Sequence, residues 1–121
     1  MSRSHYETSE VIRKSRMINV RENKVTMWHQ SNLELARCSC SNPSDAPHFW
    51  DRAHERGISP EEIKQLRYHG RLESIEIVYE EPYYGWHPKY RVAYTKGERK
   101  YVGVFAVRRY GLKGITCWVE G

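Results

Sequence analysis

An α+β domain, with short helices packed on a roughly four-stranded antiparallel sheet, is the fold class this sequence predicts. Three observations carry that expectation. Ser59-Pro60-Glu61-Glu62 has the form of a helix start: a hydroxyl at the N-cap, proline at the first helical position and a carboxylate three residues after the cap. After Gly70 the pattern changes from helical to period two, so Ile75, Ile77 and Tyr79 fall on one side of an extended segment. Turn-forming stretches then divide the second half into strands, at Pro82 to Pro88, Thr95 to Arg99 and Arg108 to Gly114.

The elements follow in order. Residues 1–45 read as an N-terminal extension packed on a helix-helix-meander domain of residues 46–121, the whole forming one globular unit. Residues 1–16 are polar and weakly patterned, with Glu10 to Arg16 fitting a turn or two of helix or a ragged end. The apolar patches Met17 to Val20 and Val25 to Trp28 suit a hairpin, or its second arm behind a loose first one. Leu33 to Ala36 starts either a short helix or a third strand. Cys38 to Pro47 is loop, with Asp45 placed to cap the helix that follows. That helix is expected near residues 47–56. A second runs from Pro60 to about His69, closed by Gly70, with Ile63 and Leu66 inward and Arg67 in the last turn. Strands are expected from residue 72 to 79, at Tyr90 to Tyr94, at Tyr101 to Val107 and at Ile115 to Val119.

Composition narrows the function classes. A chain of 121 residues with 39% apolar and 12% aromatic residues supports one modest core rich in ring packing. Twenty Lys and Arg against fifteen Asp and Glu give a net +5, which favours an anionic partner where the charge is clustered. The three Cys are an odd number and no export signal precedes them, so a reducing, cytoplasmic setting is expected. No apolar run approaches the ~20 residues of a membrane span. No phosphate loop, dinucleotide fingerprint, nucleophile elbow or catalytic carboxylate pair is present, and no cofactor is implied.

His48, Arg52 and Arg56 recur every four residues, a spacing that drifts only ~40° per step around a helix and makes one stripe. A neutral imidazole can take the proton of an RNA 2′-hydroxyl while guanidiniums hold the phosphate, with no metal. The competing reading is structural: the arginines bond nearby glutamates or loop carbonyls, and His48 is a polar helix start. The run His48-x-x-x-Arg52-x-x-x-Arg56-Gly57-Ile58-Ser59-Pro60-Glu61-Glu62-Ile63, followed by an apolar strand after Gly70 and the closing Ile115-Thr116-Cys117-Trp118, resembles the catalogued domain of unknown function number 4258. That family is grouped with the RelE, colicin and barnase-like ribonuclease toxins. The resemblance covers residues 46 to about 119. It implies a RelE- or barnase-like layout, a ribonuclease-like role for His48, Arg52 and Arg56, and a neutralising protein partner; a small viral or mobile-element protein that binds a host factor fits the same residues. The loops Pro82 to Pro88 and Arg108 to Gly114 look longer than the family's.

A second candidate patch interleaves rings with cations, as where bases stack and phosphates are neutralised. Its residues are Trp86, His87, Lys89, Tyr90 and Arg91, with Tyr84 beside them, joined by Arg108, Arg109 and Lys113 near the last hairpin. The alternative is that the rings seal a sheet end and the arginines are solvated. Cys38 and Cys40 with His48 and His54 are soft ligands in a spacing poor for zinc, so free thiols and no metal are expected. Three classes remain: a metal-independent endoribonuclease of the toxin type, a non-catalytic RNA- or protein-binding module, and a metal-stabilised module.

Overall fold

The computed structural model describes residues 13–19, 24–39, 44–80, 85–108 and 111–120. In chain order the elements are β1 (Arg13–Asn19), α1 (Lys24–Cys38), α2 (Phe49–Glu55), α3 (Pro60–His69), β2 (Arg71–Glu80), β3 (Gly85–Lys96), β4 (Arg99–Arg108) and β5 (Gly111–Glu120). The strands form one antiparallel sheet in the order β1-β2-β3-β4-β5, with all the helices described packed on one face. The class is α+β as expected. The meander β2 to β5 is present, and β1 adds a fifth strand outside it.

Two expectations about the first half are corrected. Val25 to Trp28 is not a strand but the start of α1, a 15-residue helix. Its β-branched and aromatic residues have weak helical preference, but Leu33, Ala36 and His29 share one face, and burying that face outweighs local propensity. Asp45 does not cap α2. The N-cap is His48, whose side chain makes no capping bond, and Asp45 turns inward instead.

The corner between α2 and α3 forms as its residues dictate. Gly57 takes the left-handed conformation at φ 69°, the Ile58 amide donates to the Ala53 carbonyl at 2.9 Å, and the Gly57 amide donates to His54 at 3.1 Å. These are the bonds of a Schellman end, and Ile58 is buried behind them. Ser59 then accepts from the Glu62 amide at 3.2 Å while Glu62 accepts from the Ser59 amide at 2.9 Å, completing the capping box.

The core lies between helices and sheet. Phe49 and Ala53 of α2, Ile63 and Leu66 of α3, and Leu33 of α1 meet Ile75, Tyr90, Val92, Phe105 and Leu112. Phe49 lies so close to β5 that a Cβ at Gly114 would stand 2.7 Å from its ring. Register places Ser74, Glu76 and Val78 of β2 in rows with His87, Lys89 and Arg91 of β3 on the other side of the sheet, which no described helix covers. Among the described residues no helix is long and apolar enough to cross a membrane.

Candidate functional site

Of the expected stripe only Arg52 lies within α2; His48 is its N-cap and Arg56 its C-cap, and each has its own partner. His48 is held at φ 69°, ψ 2°, the one non-glycine residue with positive φ among those described. Histidine enters this region more readily than most residues, at a small energetic cost. Its side chain is 74% exposed, with Nδ1 3.4 Å from Asp51 Oδ2. Arg52, 57% exposed, lies 3.9 Å from Glu55. Arg56 Nη1 donates to the Cys117 carbonyl at 2.5 Å, bracing the edge strand β5. The structural alternative therefore describes Arg56 well: its charge is turned onto a carbonyl. Asp51 and Glu55 match Arg52 and Arg56 in number, so residues 48–56 carry no net formal charge with the histidines neutral.

The second patch is divided by the strand. Successive residues of β3 point to opposite faces, so Trp86 and Tyr90 leave for the helix side while His87, Lys89 and Arg91 go to the open side. Tyr90 is fully buried and unavailable for stacking. Asn32 Nδ2 donates to its hydroxyl at 2.8 Å, and that hydroxyl lies 2.8 Å from His29 Nδ1. Asn32, Tyr90 and His29 thus form one hydrogen-bonded chain. Burial lowers the pKa of His29 and raises that of Tyr90, and both effects favour this neutral pair. Trp86 is exposed and tilts against Tyr79 with 5.1 Å between ring centroids.

On the open face, cross-strand register aligns Lys89 with Ala106 and Ala106 with Lys113, and sets Arg108 two residues further along β4 on the same side. His87, Lys89, Arg91, Arg108 and Lys113 thus share one face. His87 is buried there, with Nδ1 3.2 Å from the Gly85 carbonyl. Arg109, Tyr84 and Cys40 lie outside the described residues. The face is polarised. Towards its other end, Glu73 and Glu120 bind Arg91 and Lys100, with contacts of 2.7 Å for Lys100–Glu73 and Arg91–Glu120, and Arg91 lies over the Trp118 ring at 5.1 Å. A hollow of about 140 Å³ lies between the two ends, lined by Ser74, Glu76, Lys89, Arg91, Val104 and Trp118. Among the described residues neither Lys89 nor Lys113 has an ion-pair partner.

Two polar clusters had no signal in the sequence. Arg67, expected in the last turn of its helix, is buried and binds Asp45 through two bonds of 2.9 and 2.8 Å. Asp45 also accepts from the Gly114 amide at 2.7 Å and from Trp50 Nε1 at 2.9 Å, while Arg67 donates to the Leu112 carbonyl at 2.7 Å. Arg37 of α1 donates to the carbonyls of Arg67 and Gly70 at 2.9 and 2.6 Å, satisfying the end of α3. No group of three or more His, Cys, Asp and Glu converges among the described residues; Cys38 is exposed and Cys117 buried, both free.

No protein-family model matches the chain, and comparisons with the curated proteins and with solved structures found no match.

Proposed function

We propose that this protein binds RNA across the open face of its sheet, in a cytoplasmic setting. The observation that carries the reading is the convergence of Lys89, Arg108 and Lys113 at one end of that face, with the carboxylates of Glu73 and Glu120 drawn to the other end by Arg91 and Lys100. Lys89 and Lys113, which have no ion-pair partner among the described residues, are left to attract a phosphate chain. Trp118 is covered by Arg91 and Tyr90 is buried, so the face offers charge rather than open rings, and recognition rests on the backbone more than on base identity. Three phosphate contacts give a log–log salt slope of about −2 on a single strand. Affinity then falls about twentyfold between 50 and 200 mM salt. Titration of a labelled single-stranded RNA at several salt concentrations tests this. In a Lys89→Ala, Lys113→Ala protein the slope should flatten by about 1.4. Salt-independent binding, or an unchanged slope in that variant, rejects the site.

His48 favours a second reading, in which the same chain cleaves RNA without a metal. With Nδ1 directed to Asp51, Nε2 is the ring nitrogen left for proton exchange at a 2′-hydroxyl, and Arg52 stands one turn away for the phosphate. The site is open to water and balanced in charge, so electrostatic stabilisation contributes little there and proton transfer, worth about 10²–10⁴-fold, bears the rate. Cleavage in EDTA leaving a 2′,3′-cyclic phosphate, and lost in His48→Ala while binding persists, supports it. An unchanged rate in that variant, equal cutting of DNA or no cutting across a broad RNA pool leaves RNA binding alone.

A further inference from the structure

The two edges of the sheet are treated differently. On β5 the outward backbone is engaged at two positions: the Ala46 amide donates to the Gly114 carbonyl at 2.9 Å, the Gly114 amide donates to Asp45, and Arg56 donates to the Cys117 carbonyl. On β1, one side pairs with β2 from Arg13↔Glu80 to Asn19↔Ser74, and among the described residues nothing pairs with the other. In an antiparallel pair alternate residues aim both backbone groups away from the partner, so a seven-residue strand offers outward groups at about three or four positions.

β1 reads Arg-Lys-Ser-Arg-Met-Ile-Asn, with three basic residues and no acidic one. Residues 1–24 hold six Lys and Arg against three Glu, so three of the five net positive charges lie in this part of the chain. Basic residues on an edge oppose the pairing of two copies, since like charges would face each other across the new ladder. The same residues admit a strand of opposite charge. We propose that the free edge of β1 takes an extended acidic segment of another protein as a sixth strand of the sheet. Backbone bonds would supply the attachment, and the basic composition of β1 the preference for an acidic strand. The inference is independent of RNA binding, which uses the open face of β3 to β5.

The experiment uses the whole chain and a displayed library of short random peptides, selected at low salt. The peptides recovered should be rich in Glu and Asp and should slow amide exchange at alternate residues of 13–19. N-methylation of alternate residues in a selected peptide should abolish binding in one phase and spare it in the other, a period of two that only strand addition produces. Affinity should drop tenfold or more as the Debye length shortens from ~10 Å at 0.1 M salt to ~3 Å at 1 M. Outward amides of 13–19 already protected in the free protein would mean that the chain fills its own edge, and would overturn the proposal. So would self-association through β1, no binders, no acidic bias, or protection elsewhere. Loss of RNA binding in Lys89→Ala, Lys113→Ala with peptide binding retained separates this proposal from the other.

Discussion

Replacing Asp45 by alanine should be among the most damaging single changes in this protein. The Asp45 carboxylate takes two bonds from Arg67, one from the Gly114 amide and one from Trp50 Nε1, and the side chains of Asp45 and Arg67 are 6% and 4% exposed. Without Asp45, the Arg67 guanidinium keeps the Leu112 carbonyl and the Phe105 ring but no opposite charge. Breaking a buried pair from one side costs about 3–5 kcal/mol. A domain of this length has roughly 6–18 kcal/mol of total stability, so the loss is a large fraction of it. At about 4 °C per kcal/mol the melting temperature falls by roughly 12–20 °C. Urea unfolding of Asp45→Ala, Arg67→Met and the double variant measures the effect. The double variant should lose much less than the sum of the singles, because neither change then leaves a stranded charge. A loss under about 1 kcal/mol for Asp45→Ala, or additive losses, would refute the assignment of this pair as a coupled buried unit.

Four further outcomes follow from the titrating groups and caps. Ser59→Ala should cost about 1 kcal/mol in urea unfolding. Burial alone would raise the Glu62 carboxyl, but bonds from Tyr101 and Ser59 outweigh it and hold its pKa below the ordinary 4.5, so its contribution is full above that value and disappears as pH falls through the lower folded one; Glu62→Gln should flatten stability in that acid range. His29 is likewise held below 6.5, by burial, so stability should decline as pH drops beneath 6.5, and the decline should shrink in His29→Gln. Burial pushes the Cys117 thiol up to about 11, despite the opposing charge of Arg56, so in a Cys40→Ser protein a thiol reagent at pH 8 should modify exposed Cys38 quickly and Cys117 only on unfolding.

Local rules made part of this molecule legible. The Ser59 to Glu62 box and the Gly57 corner act within a few residues, and both stand as their residues imply. The meander follows from period two. The same period separates Tyr90 from Lys89 and Arg91, which therefore face opposite sides of the sheet and cannot form one surface. α1 was obscured because Met27, Trp28 and Leu35 leave its outer side apolar while His29 and Arg37 make its inner side partly polar, which blurs the stripe that announces a helix. The partners of Asp45 and Arg56 could not be read locally: Arg67 is 22 residues from Asp45, and Cys117 is 61 from Arg56. Charge spacing on α2 shows which side chains share a stripe, but not whether a carbonyl across the domain already engages one of them.

Arg37 has a consequence for anyone who would divide this chain. The last turn of α3 finds its hydrogen-bond donor not in its own neighbourhood but about thirty residues upstream, and the same upstream stretch supplies the Asn32 and His29 that hold Tyr90. Asp45 stands immediately before residue 46, where the motif resemblance begins, and its main partner lies beyond that point. A fragment trimmed to the recognisable motif would keep every residue of the pattern and lose the side chains that immobilise it. Minimal versions of this protein for biochemistry should therefore start upstream of β1, and a null result from a shorter one would report on missing braces rather than on missing chemistry.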